Sequence, residues 1–303
     1  MDLASQFDAF EQWDTQCPLS WDVPAPGHQK VQLIDLLPSA LSAVNAAVTD
    51  DSEASDFEIF NSILNSFATR GEAMNTNVEL RHYLAIAYSM YQERSDLFVN
   101  VPTWPWGTFL KSIQERLLGV VSYNYDLNVE TVLEATGVRM RHLAVKGSIG
   151  TIPLAKPHGS IDYIPAHNII GGMLPKYPLQ VYMEANDYTV ERKNRESLIA
   201  PRFAADIVIP TEKSQYTQFQ WVLPCRRWIT TEGKRAKILL LLGLSYWPVD
   251  RIEINEIIDS VLPEATIIVA NPHPSAELID RLESRFKTVE VWSNGPNSKT
   301  LLL

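Results

Sequence analysis

The chain has 303 residues, of which 46% are hydrophobic, and this is enough to bury the core of one main domain. Its formal net charge of −10 argues against direct nucleic-acid binding, even though a basic cluster occurs at 226–237. The two cysteines, Cys17 and Cys225, exclude a disulfide framework and a four-thiolate zinc ribbon, and they fit a reducing compartment.

The sequence gives no indication of membrane insertion or export. It contains no run of about 18 apolar residues, the length that a helix needs to cross a bilayer. Its first residues are acidic and aromatic, whereas a signal peptide begins with a basic and then an apolar region. We therefore expect a cytoplasmic protein without a membrane span.

The first part of the chain is predicted to hold an arm followed by a layer of helices. Residues 1–54 contain several prolines and lead into the acidic segment TDDSEAS, so they are predicted to form an irregular arm or cap. A capping box at Ser55 predicts the start of a helix, and further helices are predicted at about 78–93 and 106–118. The main domain is thus predicted to span 55–303, with a helical layer at 55–118 over a ligand crevice.

The rest of the chain alternates between apolar strands and amphipathic helices. A helix is predicted at about 217–236, and strands are predicted at 117–123, about 140–145, about 151–156, 206–210, 237–245, 265–272 and 288–292. Repeated β-α steps favour an α/β fold with a doubly wound, Rossmann-like parallel sheet. The helical layer is then an insertion near the N-terminus of this fold.

Three polar motifs follow predicted strands directly. They are SYNYD at 122–126, KPHGS at 156–160 and GLSYWPVD at 243–250. In a parallel α/β sheet, the carboxyl ends of the strands form the ligand crevice. Polar side chains at these positions are therefore expected to contact a ligand.

The motifs resemble, in order and character, those of the sirtuin-like family, and more closely its bacterial NAD-cleaving branch than its protein deacylases. The family's strand-end Asn and Asp match Asn124 and Asp126. Its His-Gly segment, which supplies the catalytic histidine, matches His158 and Gly159. The resemblance extends over roughly residues 55–295.

Two further segments continue the resemblance. The family's G-x-S segment, near the adenosine half of NAD, matches Gly243 and Ser245, and its Asn-Pro after the next strand matches Asn271 and Pro272. The resemblance implies that NAD is the substrate and that no metal is needed. It implies catalysis by His158 and Asn124, and nucleotide binding by Asp126, Gly159, Gly243, Ser245 and Asn271.

The implied activity is NAD hydrolysis to nicotinamide and ADP-ribose. In bacteria the family often serves as the effector of anti-phage defence, so the resemblance also implies a homo-oligomer or a partner that is an ATPase or an Argonaute-like protein. A structural zinc ribbon is usual in the deacylases of the family. Because the chain lacks the four thiolates for it, protein deacylation is disfavoured.

Several of the matched residues have a structural alternative. Asp126 is favoured as the N-cap of the following helix, a purely structural role. His158 could be a loop histidine bonded to the backbone, and Gly243 with Ser245 could form only a tight β-α turn. Asn271 could equally belong to an Asn-Pro turn.

One family feature is missing before residue 70. Family members begin with a strand and a glycine-rich turn of the G-x-G type, whose backbone amides receive the pyrophosphate of NAD. Gly27 and Gly71 do not belong to such a turn. The loop either lies upstream of Met1 or has degenerated, and the second case predicts a non-catalytic nucleotide-binding or scaffold module of the same fold.

Overall fold

A computed structural model of the chain describes residues 22–24, 30–32, 39, 42, 70–98, 104–166, 189–199, 202, 204–209, 219 and 221–296. Within the predicted irregular arm, strands β1 (Asp22–Pro24) and β2 (Lys30–Gln32) pair antiparallel. Each strand has 3 residues, too few for an alternating pattern to be recognised in the sequence. The helix predicted from Ser55 lies outside the described residues.

The helical layer is described from Arg70 onward. Helix α1 (Arg70–Phe98) is longer than the predicted segment at 78–93. Helix α2 (Pro105–Ile113) begins with proline, which suits a first helical turn, and gives way to a 3₁₀ turn at Gln114–Arg116. The predicted helix at 106–118 is therefore too long by one turn.

The first parallel sheet contains β3 (Val120–Val121), β4 (Met140–His142) and β5 (Ile152–Ala155). Helix α3 (Asn128–Ala135) connects β3 to β4, and β5 lies between these two strands. Pairing joins Val121 to Ala155 and Met140 to Ile152. The predicted strands at 117–123 and 140–145 are thus correct in place but too long.

A short antiparallel pair follows this sheet, made of β6 (Tyr163–Pro165) and β7 (Val190–Arg192). The strand predicted at 206–210 is described as far as Ile209. Its described residues form one isolated bridge, between Ile207 and Gly159, rather than a strand. This bridge fixes the segment at 204–209 beside the KPHGS loop.

The second parallel sheet has the strand order β8-β9-β10, with β8 (Ile238–Leu242), β9 (Thr266–Ala270) and β10 (Thr288–Val291). Helix α5 (Arg251–Ser260) and helix α6 (Ala276–Glu283) are the crossovers. Helix α4 (Val222–Glu232) precedes the sheet and is shorter than the predicted helix at 217–236. Pro224 is the third residue of α4, where the missing N–H has no helical acceptor to lose.

Both faces of the second sheet are covered by helices. One face packs on α5 and α6 through Leu241, Ile254, Ile258, Ile267, Val269, Leu278 and Leu282. The other face packs on α2 through Phe109, Ile238, Leu240, Ile268, Ala270 and Trp292. Successive strand residues point to opposite faces, which explains why both sets are apolar. The chain therefore has an α/β fold with open parallel sheets, compatible with a Rossmann-like arrangement.

Candidate functional site

The SYNYD and KPHGS motifs lie side by side because β3 and β5 are adjacent parallel strands. Val121 pairs with Ala155, and the Ser122 N–H donates to the oxygen of Ala155 at 2.9 Å. The two loops therefore leave the same edge of the sheet together. Helix α1 lies against this edge, where the ring of Tyr88 is 5.3 Å from that of Tyr125.

His158 is buried between aromatic rings, with 3% of its surface exposed. Its ring centroid is 4.9 Å from that of Tyr123 and 6.4 Å from that of Tyr125. Burial lowers the pKa of His158 to about 4, and a hydrogen bond with the backbone of Tyr123 opposes this shift. The imidazole is therefore neutral near pH ~7, the state in which it can accept a proton.

The loop that carries His158 is fixed by backbone and side-chain hydrogen bonds. The Val208 N–H donates to the oxygen of His158 at 2.9 Å, and the indole N–H of Trp221 donates to the oxygen of Pro157 at 3.2 Å. Gly159 has a φ of +83°, and a Cβ there would lie 2.0 Å from the backbone oxygen of Asp206. Only glycine fits this position, so the glycine of the His-Gly pair has a packing role in the structure.

Asn124 and Asp126 differ in their surroundings. Asn124 is exposed on the loop between Tyr123 and Tyr125, the two residues whose rings contact His158. Asp126 is partly buried, and its Oδ1 accepts a hydrogen bond from the Asn128 N–H at 2.9 Å.

The N-cap assignment of Asp126 needs a correction of one residue. Helix α3 begins at Asn128, so the N-cap residue is Leu127 rather than Asp126. The Asp126 carboxylate still binds an N–H of the first turn, and Gln92 Oε1 accepts from the Leu127 N–H at 2.7 Å. Because helix α1 supplies Gln92, the start of α3 is capped from two elements.

A buried ion pair supports the two loops, and the sequence reasoning missed it. Lys156 and Glu130 are both 0% exposed, and Lys156 Nζ lies 3.0 Å from Glu130 Oε1. The same ammonium donates to the backbone oxygen of Asp126 at 2.5 Å. Burial raises the pKa of Glu130, and Lys156 opposes this shift. The one clue in the sequence was a lysine that directly follows a buried strand.

A second carboxylate lies just beyond the His-Gly loop. Asp162 is 0% exposed and lies 2.5 Å from Nε of Arg192. Burial alone would raise the pKa of Asp162, but Arg192 and Lys156 lower it below its usual value. Lys156 therefore faces two carboxylates, and the charges beneath the loops are largely balanced.

Gly243, Ser245 and Asn271 form a separate group at the ends of β8 and β9. Gly243 and Ser245 are exposed, and the Gly243 N–H donates to the oxygen of Ala270 at 3.0 Å. The Asn271 amide donates to the oxygen of Leu244 at 3.2 Å, and its Oδ1 accepts from the His273 N–H at 2.9 Å. These bonds give Asn271 the geometry of its structural alternative, the Asn-Pro turn.

Tyr123 connects the two groups. Its hydroxyl donates to the backbone oxygen of Glu253 in α5 at 3.1 Å, and its ring packs on the core of the second sheet. The same ring also lies beside the imidazole of His158. The first turn of α5 and the imidazole thus lie against the same tyrosine.

Within the described residues, no group of three or more His, Cys, Asp or Glu side chains is arranged to hold a metal ion. The helices described there include none that is long and apolar enough to cross a membrane. The Cys225 thiol is buried, and burial raises its pKa to about 12, so it is not a reactive thiolate.

No family model matches the chain, and no curated protein matches it either.

Proposed function

We propose that the chain hydrolyses the N-glycosidic bond of NAD or a related nucleotide, releasing nicotinamide and ADP-ribose. The observation that carries the proposal is the meeting of the SYNYD and KPHGS loops at adjacent strand ends, with His158 held neutral between two tyrosine rings. Strand ends are where α/β sheets bind nucleotides. We also propose that the two sheets belong to one doubly wound arrangement.

The proposed reaction needs few groups. The bond between C1′ of the ribose and the nicotinamide nitrogen breaks, the leaving group keeps the electron pair, and an oxocarbenium-like ribosyl centre forms. Water attacks this centre, and His158 accepts the proton that the water loses. Asn124 is exposed at the mouth of the loop, where its amide can orient the water or a ribose hydroxyl.

The family resemblance alone supports a wider setting, namely a role in anti-phage defence and a homo-oligomer or an ATPase or Argonaute-like partner. A cytoplasmic location is supported by the sequence composition instead. None of these is needed for the chemistry of the site, so the test uses the purified chain and measures nicotinamide release directly.

Substitution of His158 tests the proposal. His158→Phe keeps a planar ring between Tyr123 and Tyr125 and removes the proton acceptor, so nicotinamide release should fall by about 10²- to 10⁴-fold. Asn124→Ala should also reduce turnover without lowering the melting temperature, because Asn124 is exposed. The matched control is His142→Phe, which removes a histidine with 2% exposure outside the site. Wild-type turnover in His158→Phe would reject the mechanism.

The burial of His158 favours a second candidate, a nucleotide-binding module without catalysis. A side chain with 3% exposure between the rings of Tyr123 and Tyr125 is reached by substrate only if one of these rings moves. This candidate predicts that NAD raises the melting temperature while no nicotinamide appears over a long incubation. Nicotinamide release that His158→Phe abolishes would exclude it.

A further inference from the structure

Two acidic side chains lie at the start of α5, and three of their four carboxyl oxygens are buried with no hydrogen bond from another described residue. Glu253 is 6% exposed, and among the described residues neither of its carboxyl oxygens accepts a hydrogen bond from another residue. Asp250 directly precedes α5, and its Oδ1 is also buried and accepts no hydrogen bond from a described residue. Buried polar groups without partners are rare in folded proteins, because each costs free energy when it leaves water.

Neighbouring cations compensate these acids only in part, since Arg226 lowers the pKa of Glu253 less than burial raises it. Arg226 of α4 lies 2.9 Å from Glu256, and Arg251 lies 2.6 Å from Glu277. Both guanidinium groups are therefore engaged with other carboxylates. Burial raises the pKa of Glu253 to about 7 and that of Asp250 to about 6. A ligand that donates hydrogen bonds here would relieve this cost.

The position of the pair limits the ligand. The turn at 243–248, in which Tyr246 is buried but Gly243 and Ser245 are exposed, leads from the end of β8 to Asp250. Tyr123 separates Glu253 from His158. The group that fits must offer adjacent hydrogen-bond donors and carry no negative charge. The neighbouring hydroxyls of a ribose meet both requirements, and carboxylates bind them in this way in dinucleotide sites of α/β folds.

We propose that Glu253 and Asp250 accept hydrogen bonds from the 2′- and 3′-hydroxyls of a ribose and thereby select nucleotides with a free 2′-hydroxyl over those with a 2′-phosphate. A 2′-phosphate removes one donor and brings negative charge against two carboxyl groups. The inference rests on the proposed function for the identity of the ribose. The inference is tested by binding measurements alone, so it can fail independently of the proposed hydrolase activity.

The experiment measures binding of ADP-ribose and of 2′-phospho-ADP-ribose to the full chain, by isothermal calorimetry and by the shift in melting temperature. Wild type should prefer ADP-ribose by at least tenfold. Glu253→Gln should weaken ADP-ribose binding by about ten- to a hundredfold, the loss expected for one charge-assisted hydrogen bond. It should melt no lower than wild type, because it replaces a buried carboxyl group that accepts no hydrogen bond from another described residue. Glu264→Gln removes an exposed acid elsewhere and is the control.

The pH dependence provides a second readout. ADP-ribose binding should strengthen as the pH rises through about 7, where Glu253 loses its proton, and Glu253→Gln should lose this dependence. Equal affinity of wild type for the two ligands, binding of neither, or undiminished ADP-ribose binding in Glu253→Gln would overturn the inference. Selective ADP-ribose binding without nicotinamide release from NAD would keep it and reject the hydrolase.

Discussion

Replacing Lys156 with methionine should destabilise the protein strongly, because it leaves a charge buried beneath the candidate site. Lys156 Nζ lies 3.0 Å from Glu130 Oε1 and 2.5 Å from the backbone oxygen of Asp126. Both ionic side chains are 0% exposed. Removing one partner of a buried ion pair costs about 3–5 kcal/mol, since the other charge stays in a medium of low polarity.

Urea unfolding and thermal melting measure this loss, and two further variants sharpen it. In proteins of somewhat smaller size, each kcal/mol of lost stability lowers the melting temperature by about 2–4 °C. The melting temperature of Lys156→Met should therefore fall by roughly 6–20 °C. Arg251→Met is the control, because the Arg251–Glu277 pair is 36% and 56% exposed and its loss should cost less than about 1 kcal/mol. Adding Glu130→Leu to Lys156→Met should restore much of the stability, since no unpaired charge remains.

The stability difference between Lys156→Met and wild type should depend on pH. Burial raises the pKa of Glu130, and the loss of Lys156 should raise it further. A carboxyl group with a raised pKa in the folded state causes no penalty below its unfolded pKa and a growing penalty above it. The deficit of Lys156→Met should therefore shrink between pH ~7 and pH ~4. A single variant as stable as wild type, or a double variant no more stable than the single one, would refute the reasoning.

Four further variants give predictions about stability. Gly243→Ala, at a φ of +60° with open space around it, should cost about 1–2 kcal/mol. Gly159→Ala should cost more, because its Cβ would also meet backbone at 2.0 Å, and equal losses of melting temperature would contradict this. Asp126→Ala should lose about 0.5–2 kcal/mol in urea unfolding, and an inactive variant of undiminished stability would instead make Asp126 a site residue. Burial, assisted by Arg192, lowers the pKa of His142 to about 3, so its contribution to stability is present above the ordinary histidine pKa and is lost as the pH falls. The stability of His142→Phe relative to wild type should thus improve by about 1.4 kcal/mol per pH unit below pH ~6.

Sequence periodicity predicted the second sheet better than the first. The aliphatic run before Gly243 and the striped helix after it correspond to β8 and α5, because a strand covered on both faces is continuously apolar. The first sheet has strands of two to four residues, and such segments end where loop hydrogen bonds replace ladder pairing. The predicted strand at 117–123 continues as a loop from Ser122, whose N–H bonds to Ala155.

The sequence indicated which polar residues follow strands, but not which of them are buried. SYNYD and KPHGS were expected to share an edge, and the pairing of Val121 with Ala155 brings them together. Lys156 and Glu130 were not recognised, because a long-range ion pair leaves no periodic pattern in the chain. The burial of Glu253 was not predicted either, because it depends on contact with Tyr123, which lies far away in sequence.

The two groups of strand-end residues differ in exposure, and so in the part of a ligand that each can contact. Gly243 and Ser245 are exposed, whereas His158 is 3% exposed beneath Tyr123. Under the proposed function, Gly243 and Ser245 therefore bind one end of the nucleotide equally well in the ground state and in the transition state. His158 acts only at the bond that breaks. Ser245→Ala should accordingly raise KM and leave kcat nearly unchanged, whereas His158→Phe should lower kcat. Steady-state kinetics of nicotinamide release separate the two effects. A fall in kcat for Ser245→Ala as large as that for His158→Phe would mean that both groups act on the reacting bond.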